Sequence, residues 1–406
     1  MESPGQRTRR RLRRHRYFWW GAVPFGVLAL LSLLGYLIAP DDSTGANRQL
    51  LSAAKLGPGS TVQLLKERRN RPGTASNLLQ TWWQGRADLY RYHHLCDSCS
   101  PRIQTDTIFF RLSTGQPQRL LLPELALALD ETHPFTKLAL TETGKPYRLQ
   151  AGNVLYVPAG TTAPTTAPLD SLTAAVRTTQ LSAHTYWLGA DRYGRDVLSR
   201  LILGGRVSLG IGLLAVGLAL AVGVSLGALA GYLRGRTDRF IVWLMSVFWS
   251  LPGLLLALAI AFALGRGLWT LALAIGLTTW VDLARMVRGE FFRLREREYI
   301  EAARAYAYPT RRIILRHLLP NVAGPVLILA VNTFATAVLL EAGLSFLGLG
   351  VQPPTPSWGG MVFEGYRYLM LSGGKWLALF PGLVIVLLIL SLNLLTLALR
   401  DALQTR

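Results

Sequence analysis

Cysteine is almost absent. Cys96 and Cys99 are the only two in 406 residues, too few for a fold stapled by disulfides. Charge is scarce as well: Asp, Glu, Lys and Arg make up 16% of the chain against 50% hydrophobic residues, and mean hydropathy is +0.30. A soluble domain of this length needs more polar surface to cover its core, so the composition points to an integral membrane protein. Acidic residues are the minority, 23 against 43 Lys and Arg, for a formal net charge of +20. Such an excess suits nucleic acid, an anionic membrane surface, or basic loops kept on one side of a membrane. Its distribution decides. Arg7, Arg9, Arg10, Arg11, Arg13, Arg14 and Arg16 directly precede an apolar stretch, and others fall in short loops between such stretches. No large basic soluble region remains, which argues against nucleic acid as a partner. A Gly-x-x-x-x-Gly-Lys-Ser/Thr stretch is also missing, so the chain has no loop of the kind that cradles ATP phosphates.

What is present is long apolar sequence. A bilayer core of roughly 30 Å takes about 20 mostly apolar residues in a helix. A basic cytoplasmic N-terminus, residues 1–16, leads into a first predicted span over residues 17–39, apolar from about Phe18 to Ala39. It is longer than a signal-peptide core and ends at Ala39-Pro40-Asp41-Asp42, which reads as an uncleaved span. Five more are expected at roughly Ser208–Leu233, Phe240–Leu264, Leu268–Val287, Val322–Leu349 and Trp376–Leu399. Gly210, Gly212, Gly217, Gly223, Gly227 and Gly231 recur along the second, and small residues let helices approach closely in lipid. Pro252 and Pro325 should kink or initiate their helices. Basic flanks set the orientation. The N-terminus, the Arg234–Arg239 loop, the segment 288–320 and the tail 401–406 are expected in the cytoplasm. The loop from Gly350 to Lys375 falls outside.

Residues 40–183 form an expected external insert, nearly balanced in charge. Ile103–Phe110 and Val154–Val157 alternate like strands, Val62–Tyr92 reads as helix, and the Thr-Pro repeat from Thr161 to Pro168 reads as a stiff linker, within a linker region near 159–183. A small α+β domain follows. Its His93-His94-Leu95-Cys96-Asp97-Ser98-Cys99 cluster admits a local disulfide between Cys96 and Cys99, a soft-metal site, a redox pair or free thiols.

Three stretches carry more specific information. In Leu188–Ile202 the side chains of Val197, Leu198, Leu201 and Ile202 form an apolar stripe, with Arg195 and Arg200 away from it. That suits an interfacial amphipathic segment over residues 184–207. In Tyr299–Asn321, Glu301–Tyr306 reads as a short helix, and Pro309 breaks the chain. A second helix then carries Ile313, Ile314 and Leu318 on one face. Two short helices joined to spans make a lever. The third stretch, Glu341–Gly359, leaves the fifth span for a proline-stiffened loop.

In order and spacing, the Gly-Arg-Asp-Val-Leu-Ser-Arg run at 194–200, the Glu301-Ala302-Ala303 loop and the Leu-Ser-Phe-Leu-Gly-Leu-Gly-Val-Gln-Pro-Pro run at 344–354 resemble the inner-membrane permeases of dipeptide, oligopeptide and nickel ABC importers, the DppC/OppC type. The resemblance covers about residues 184–406. It implies an all-α polytopic membrane protein of six transmembrane helices, the type I importer permease fold. The five-helix core would occupy 208–400, with a coupling loop at 288–320 and the external α+β insert between helices 1 and 2. It further implies a non-enzymatic pore half in the bacterial inner membrane, both termini cytoplasmic. A related second permease subunit, two cytoplasmic ATPase subunits and an external solute-binding protein would be its partners. ATP and Mg would be bound by those partners, and no cofactor or metal by this chain.

Coupling residues carried over are Glu301, Ala302, Ala303, Arg304, Ala307, Arg312, Leu319 and Pro320. The family has Gly where this chain has Ala307, so that turn must form differently. Gln352, Pro353, Pro354 and Trp358 are the expected contacts to the binding protein. Within spans, Asp282 and Arg285 stand three apart for mutual pairing or a pore-lining role. Asn332 and Asn393 suit interhelical hydrogen bonds or solute contacts, and Glu341 is expected near water at a helix end. Peptides are the expected cargo. Nickel chelates, another peptide-like solute, or a membrane-tethered sensor or enzyme are the alternatives.

Overall fold

The computed structural model describes residues 10–72, 77–96, 99–370 and 373–403. Two compact units emerge. The first comprises Met1–Gly35, Leu201–Leu371 and Leu377–Arg406, the second Tyr36–Arg200 with Ser372–Trp376.

The first unit is helical. Its elements are α1 (Arg16–Leu33), α2 (Val197–Leu233), α3 (Gly235–Trp249), α4 (Gly253–Leu264), α5 (Leu268–Arg295), α6 (Glu298–Ala305), α7 (Leu319–Phe346), α8 (Trp358–Gly365) and α9 (Trp376–Leu403). Among the described residues five helices are long and apolar enough to cross a membrane, or up to six if α3 and α4 form one span. Those two meet at a 91° bend. The reason is local: Pro252 is the N-cap of α4, has no N–H to give, and disfavours helical geometry in Leu251 before it. The run expected over Phe240–Leu264 is thus bent at Pro252, one of the two prolines expected to kink or initiate a helix.

Gly223, Gly227 and Gly231 lie four apart on one face of α2, turned against α5. A Cβ on them would stand 2.7 Å from the Trp280 carbonyl oxygen, 2.5 Å from that of Ala284 and 2.8 Å from that of Arg288. The two backbones lie in close contact, with the Cβ atoms of Leu283, Val287 and Phe291 also against the glycines, the close approach that small residues permit in lipid. Gly210 and Gly217 meet nothing within 4 Å, so only part of the glycine series serves this seam. At the α3 end of the bundle Arg288 grips Asp238 with two hydrogen bonds, Nε to Oδ1 at 2.5 Å and Nη2 to Oδ2 at 2.8 Å.

Among the described residues the second unit holds three three-stranded antiparallel sheets, in the orders β2–β1–β9, β3–β4–β5 and β6–β7–β8. The strands are β1 (Ser60–Arg68), β2 (Tyr90–His94), β3 (Arg102–Gln104), β4 (Thr107–Arg111), β5 (Pro117–Leu121), β6 (Arg148–Gln150), β7 (Asn153–Tyr156), β8 (Thr165–Pro168) and β9 (Leu181–Tyr186). Helices Leu78–Gln84, Leu122–Ala126, Pro134–Thr143 and Leu169–Ala175 accompany them. Leu65, Leu95, Ile108, Phe110, Leu122 and Leu125 form one core of the unit.

The sequence reading departs from the structure in three places here. The helix expected over Val62–Tyr92 is instead a central strand, a short helix and a second strand. Gln63–Arg68 consists of good helix formers, but burying Leu64 and Leu65 between two partner strands overrides propensity. The Thr-Pro linker contains β8, an edge strand, where a proline's missing N–H costs no ladder bond.

The third departure concerns the segment 184–207. Arg195 and Arg200, expected on a polar outer face, are 2% and 3% exposed. Asp191 holds both: its Oδ2 accepts from Arg195 Nε at 2.6 Å and Arg200 Nη1 at 2.7 Å, while Oδ1 accepts from the Tyr193 and Arg195 N–H groups. The turn closes because Gly194 has φ +72° and presses on the Leu50 carbonyl, where a Cβ would stand 1.8 Å away. This segment is a buried knot rather than an amphipathic surface helix.

Candidate functional site

The connection between α5 and α7 is a rigid arm. α6 is amphipathic: Ile300 and Ala303, three apart, are 0% and 5% exposed. They pack with Ala228 and Tyr232 of α2, Val287 and Phe291 of α5, and Val322 of α7. Glu298, Glu301, Ala302 and Arg304 are exposed on its other face. Glu298 and Glu301 occupy the first turn and Arg304 the last, each charge complementing the helix dipole. Arg304 and Arg295 stand over the Tyr232 ring, at 5.5 and 5.6 Å.

The arm ends in a Schellman turn. The Tyr308 N–H donates to the Ala303 carbonyl at 3.1 Å and the Ala307 N–H to that of Arg304 at 2.8 Å, with Ala307 at φ +53°. The left-handed residue of this motif is usually glycine. Here that residue carries a Cβ, which costs about 1–2 kcal/mol of steric strain. Ala307→Gly should recover about 0.5–1 kcal/mol net, since glycine gives back some of the relief as unfolded-state entropy. A thermal melt of the purified protein rising by a degree or more would bear this out, and a lower midpoint would refute it.

Beyond the turn, Tyr308 stacks on His317 at 6.0 Å and carries Arg312 over its ring at 4.1 Å. Thr310–Arg312 begins a helix that widens into π-type turns over Ile313–Leu318. Pro320 accounts for the widening, because its ring crowds the Arg316 carbonyl and it offers no N–H to it. Ile313 and Leu318 are buried beneath the arm while Arg312 and Pro320 are exposed and Leu319 is half-buried.

Of the polar residues within spans, Asp282 and Arg285 do not pair among the described ion pairs. They meet Trp249 of α3 instead, whose indole N–H donates to Asp282 Oδ1 at 3.2 Å while Arg285 lies 3.7 Å above its ring. Both charged residues are exposed, as are Asn332 and Asn393. Glu341 is not near water: it is 0% exposed. Ser208 of α2 donates to its Oε2 at 2.9 Å and Ser345 to its Oε1 at 2.7 Å. The Trp358 N–H in turn reaches Ser208 Oγ at 3.1 Å, so one carboxyl joins α2, α7 and α8. Trp358 is 1% exposed with its indole N–H on the Leu201 carbonyl at 2.8 Å. It is therefore a core residue and not a surface contact, unlike the exposed Gln352, Pro353 and Pro354.

In the second unit Cys96 and Cys99 are disulfide-bonded, Cα atoms 5.2 Å apart. Asp97 and Ser98 of that cluster lie outside the described residues. His93 Nε2 meets Glu67 Oε2 at 2.6 Å, and this hydrogen bond holds the Glu67 carboxyl below its ordinary range. Among the described residues no three His, Cys, Asp or Glu side chains converge as a metal site.

Comparison with known proteins matches residues 223–406 to the binding-protein-dependent transport system inner membrane component and residues 3–58 to the N-terminal TM domain of oligopeptide transport permease C. The glutathione transport system permease protein GsiD of Pectobacterium atrosepticum is 38% identical over 225 residues, 55% of this chain and 73% of that protein. The dipeptide permease DppC of Alkalihalophilus pseudofirmus is 39% identical over 221 residues, 54% of this chain and 72% of its own length. The oligopeptide permease OppC of Bacillus subtilis is 36% identical over the same length, again 54% and 72%. A solved chain of the inward-facing MetNI methionine ABC transporter has 20% identity and a TM-score of 0.42, covering 51% of this chain and 98% of that one, a likeness too loose to argue from. Helices long and apolar enough to span, the arm between α5 and α7, and relatives matched over more than two thirds of their length agree: this chain belongs to the inner-membrane permease family of ABC importers, of the peptide-permease type.

Proposed function

We propose that this chain is one half of the translocation pore of an ATP-driven importer for di- or oligopeptides, and that α6 is where partner ATPase subunits grip it. The carrying observation is the two-sidedness of α6. Its inner face is packed against α2, α5 and α7 while Glu298, Glu301, Ala302 and Arg304 are presented outward. A force on the outer face is thereby delivered to three long helices at once. Ala307, Arg312, Leu319 and Pro320 shape the arm rather than supply chemistry.

On this reading α3 and α4 together make one span and the chain crosses six times. Both termini and the arm are cytoplasmic, and the second unit is external. A related permease completes the pore, and a binding protein delivers solute at Gln352, Pro353 and Pro354. ATP and Mg belong to the ATPase subunits. Asp282, Arg285 and Trp249 face the pore or the second permease, since exposed charges toward lipid in mid-span are costly.

The orientation is tested with a single thiol. Because both native cysteines are in a disulfide, Ala302→Cys introduces one reactive position. It should resist an impermeant maleimide added to intact spheroplasts, react after lysis, and crosslink to a co-expressed ATPase subunit. Labelling from outside would sink the assignment.

A further inference from the structure

The second unit displays a short helix that is apolar on the wrong side for a soluble domain. In Leu78–Gln84, Leu78 is 81% exposed, Leu79 77% and Trp83 65%, while Thr81 is the buried residue, at 4%. At about 100° per residue, the exposed Leu78, Leu79 and Trp83 span an arc of about 140°, with the half-buried Trp82 within it. No charge interrupts it. The helix is built with care: Asn77 and Gln80 form a reciprocal capping box at its start, and Gly85 at φ +77° ends it. Seven residues do not hold a helix unaided, so the caps serve to display this face rather than to bury it.

What lies opposite is indicated by where the helix is fastened. At Gly85 a Cβ would stand 2.7 Å from Cε1 of Tyr36. The Arg86 N–H donates to the Asp42 carbonyl at 2.8 Å, and its guanidinium meets the Asp42 carboxylate at 3.2 Å. Tyr36 is three residues past Leu33, the last residue of α1, and three peptide units reach at most about 11 Å. α1 itself carries exposed Val23, Val27 and Leu30 along its length. The helix is thus moored to the few residues that leave a membrane-spanning candidate. Tryptophan with leucine, and no charge, is the composition that settles at the headgroup–acyl boundary.

From these observations we infer that Leu78–Gln84 is a membrane anchor: Leu78, Leu79 and Trp83 insert into the interfacial layer of the bilayer beside the end of α1, holding the second unit down on the lipid surface. The inference rests on the reading of α1 as a span, and the test separates the two. Leu79→Cys, Leu138→Cys and Val27→Cys are each labelled with an environment-sensitive fluorophore in the full chain, reconstituted in nanodiscs of phosphatidylcholine and phosphatidylglycerol. Leu138, 51% exposed on helix Pro134–Thr143, is the aqueous reference, and Val27, 50% exposed on α1, the bilayer reference. Quenching at position 79 by a shallow nitroxide lipid should exceed that at 138 by about twofold or more, with iodide showing the opposite order. Iodide quenching at 79 equal to that at 138 would overturn the anchor, as would protection from both quenchers, which would mean a protein covers the helix. Lipid quenching at 27 but not at 79 leaves the span standing and removes only the anchor. Its absence at both positions removes both.

Discussion

Charge reversal at Glu301 is expected to uncouple the transporter. In proteoliposomes holding the complete complex, Glu301→Arg should bring solute-stimulated ATP hydrolysis down to the unstimulated rate, with membrane insertion and yield unchanged. The two halves of that expectation have separate causes. Insertion survives because Glu301 is exposed on α6, while Ile300 and Ala303 are the residues that enter the core. On the docking proposed above, coupling fails because reversing a charge on the face offered to the ATPase subunit turns an attraction into a repulsion. Changes of that kind cost complexes about 2–5 kcal/mol, which is roughly 30-fold or more in the population of the docked state. Glu301→Gln, which keeps the shape, should retain part of the stimulation. Full stimulation in the reversed variant would remove α6 from the coupling path.

The other large effect is expected at Asp191. Its carboxylate is 7% exposed between guanidinium groups 2% and 4% exposed. Asp191→Ala takes from two buried guanidinium groups the carboxylate they share, and removing one partner of a buried pair costs about 3–5 kcal/mol. That is a large share of the stability of an average domain. The measured result should be a sharp fall in folded yield and in the thermal midpoint of the solubilised protein. Adding Arg200→Met to Asp191→Ala should recover part of the loss, since the two side chains are coupled through one contact. An Asp191→Ala protein as stable as the parent would show that the knot contributes little.

The parts of this fold that can be read from sequence are those with local causes. Apolar runs declare most of the membrane helices because a bilayer sets their length, and the stripe of Ile313 and Leu318 after Pro309 declares the arm. Elsewhere the deciding partner is distant in sequence. Glu341 near a helix end looks solvated until Ser208, 133 residues earlier, closes over it. Trp358 in a proline-rich loop looks like a surface contact until the Leu201 carbonyl takes its N–H across 157 residues. For Arg195 and Arg200 the signal was nearer: Asp191 stands four and nine residues before them, spacing that a turn followed by a helix brings to one point. The strand β1 was hidden for another reason, its composition of helix formers, which only pairing on both sides overrules. The Ala307 turn was legible as a departure, though its backbone was not. The structure gives Ala307 a left-handed backbone and accepts the strain.

The glycine seam between α2 and α5 bears on how the sequence can drift over generations. Every amino-acid replacement that one base change can produce from a glycine codon adds at least a methyl group. At Gly223, Gly227 and Gly231 that methyl would land inside the carbonyl row of the neighbouring helix. These three codons have no conservative neighbour in the genetic code. Gly210 and Gly217, facing open space on the same helix, are free of that steric constraint within this chain, so sequences diverging from this one should scatter there while the seam stays still.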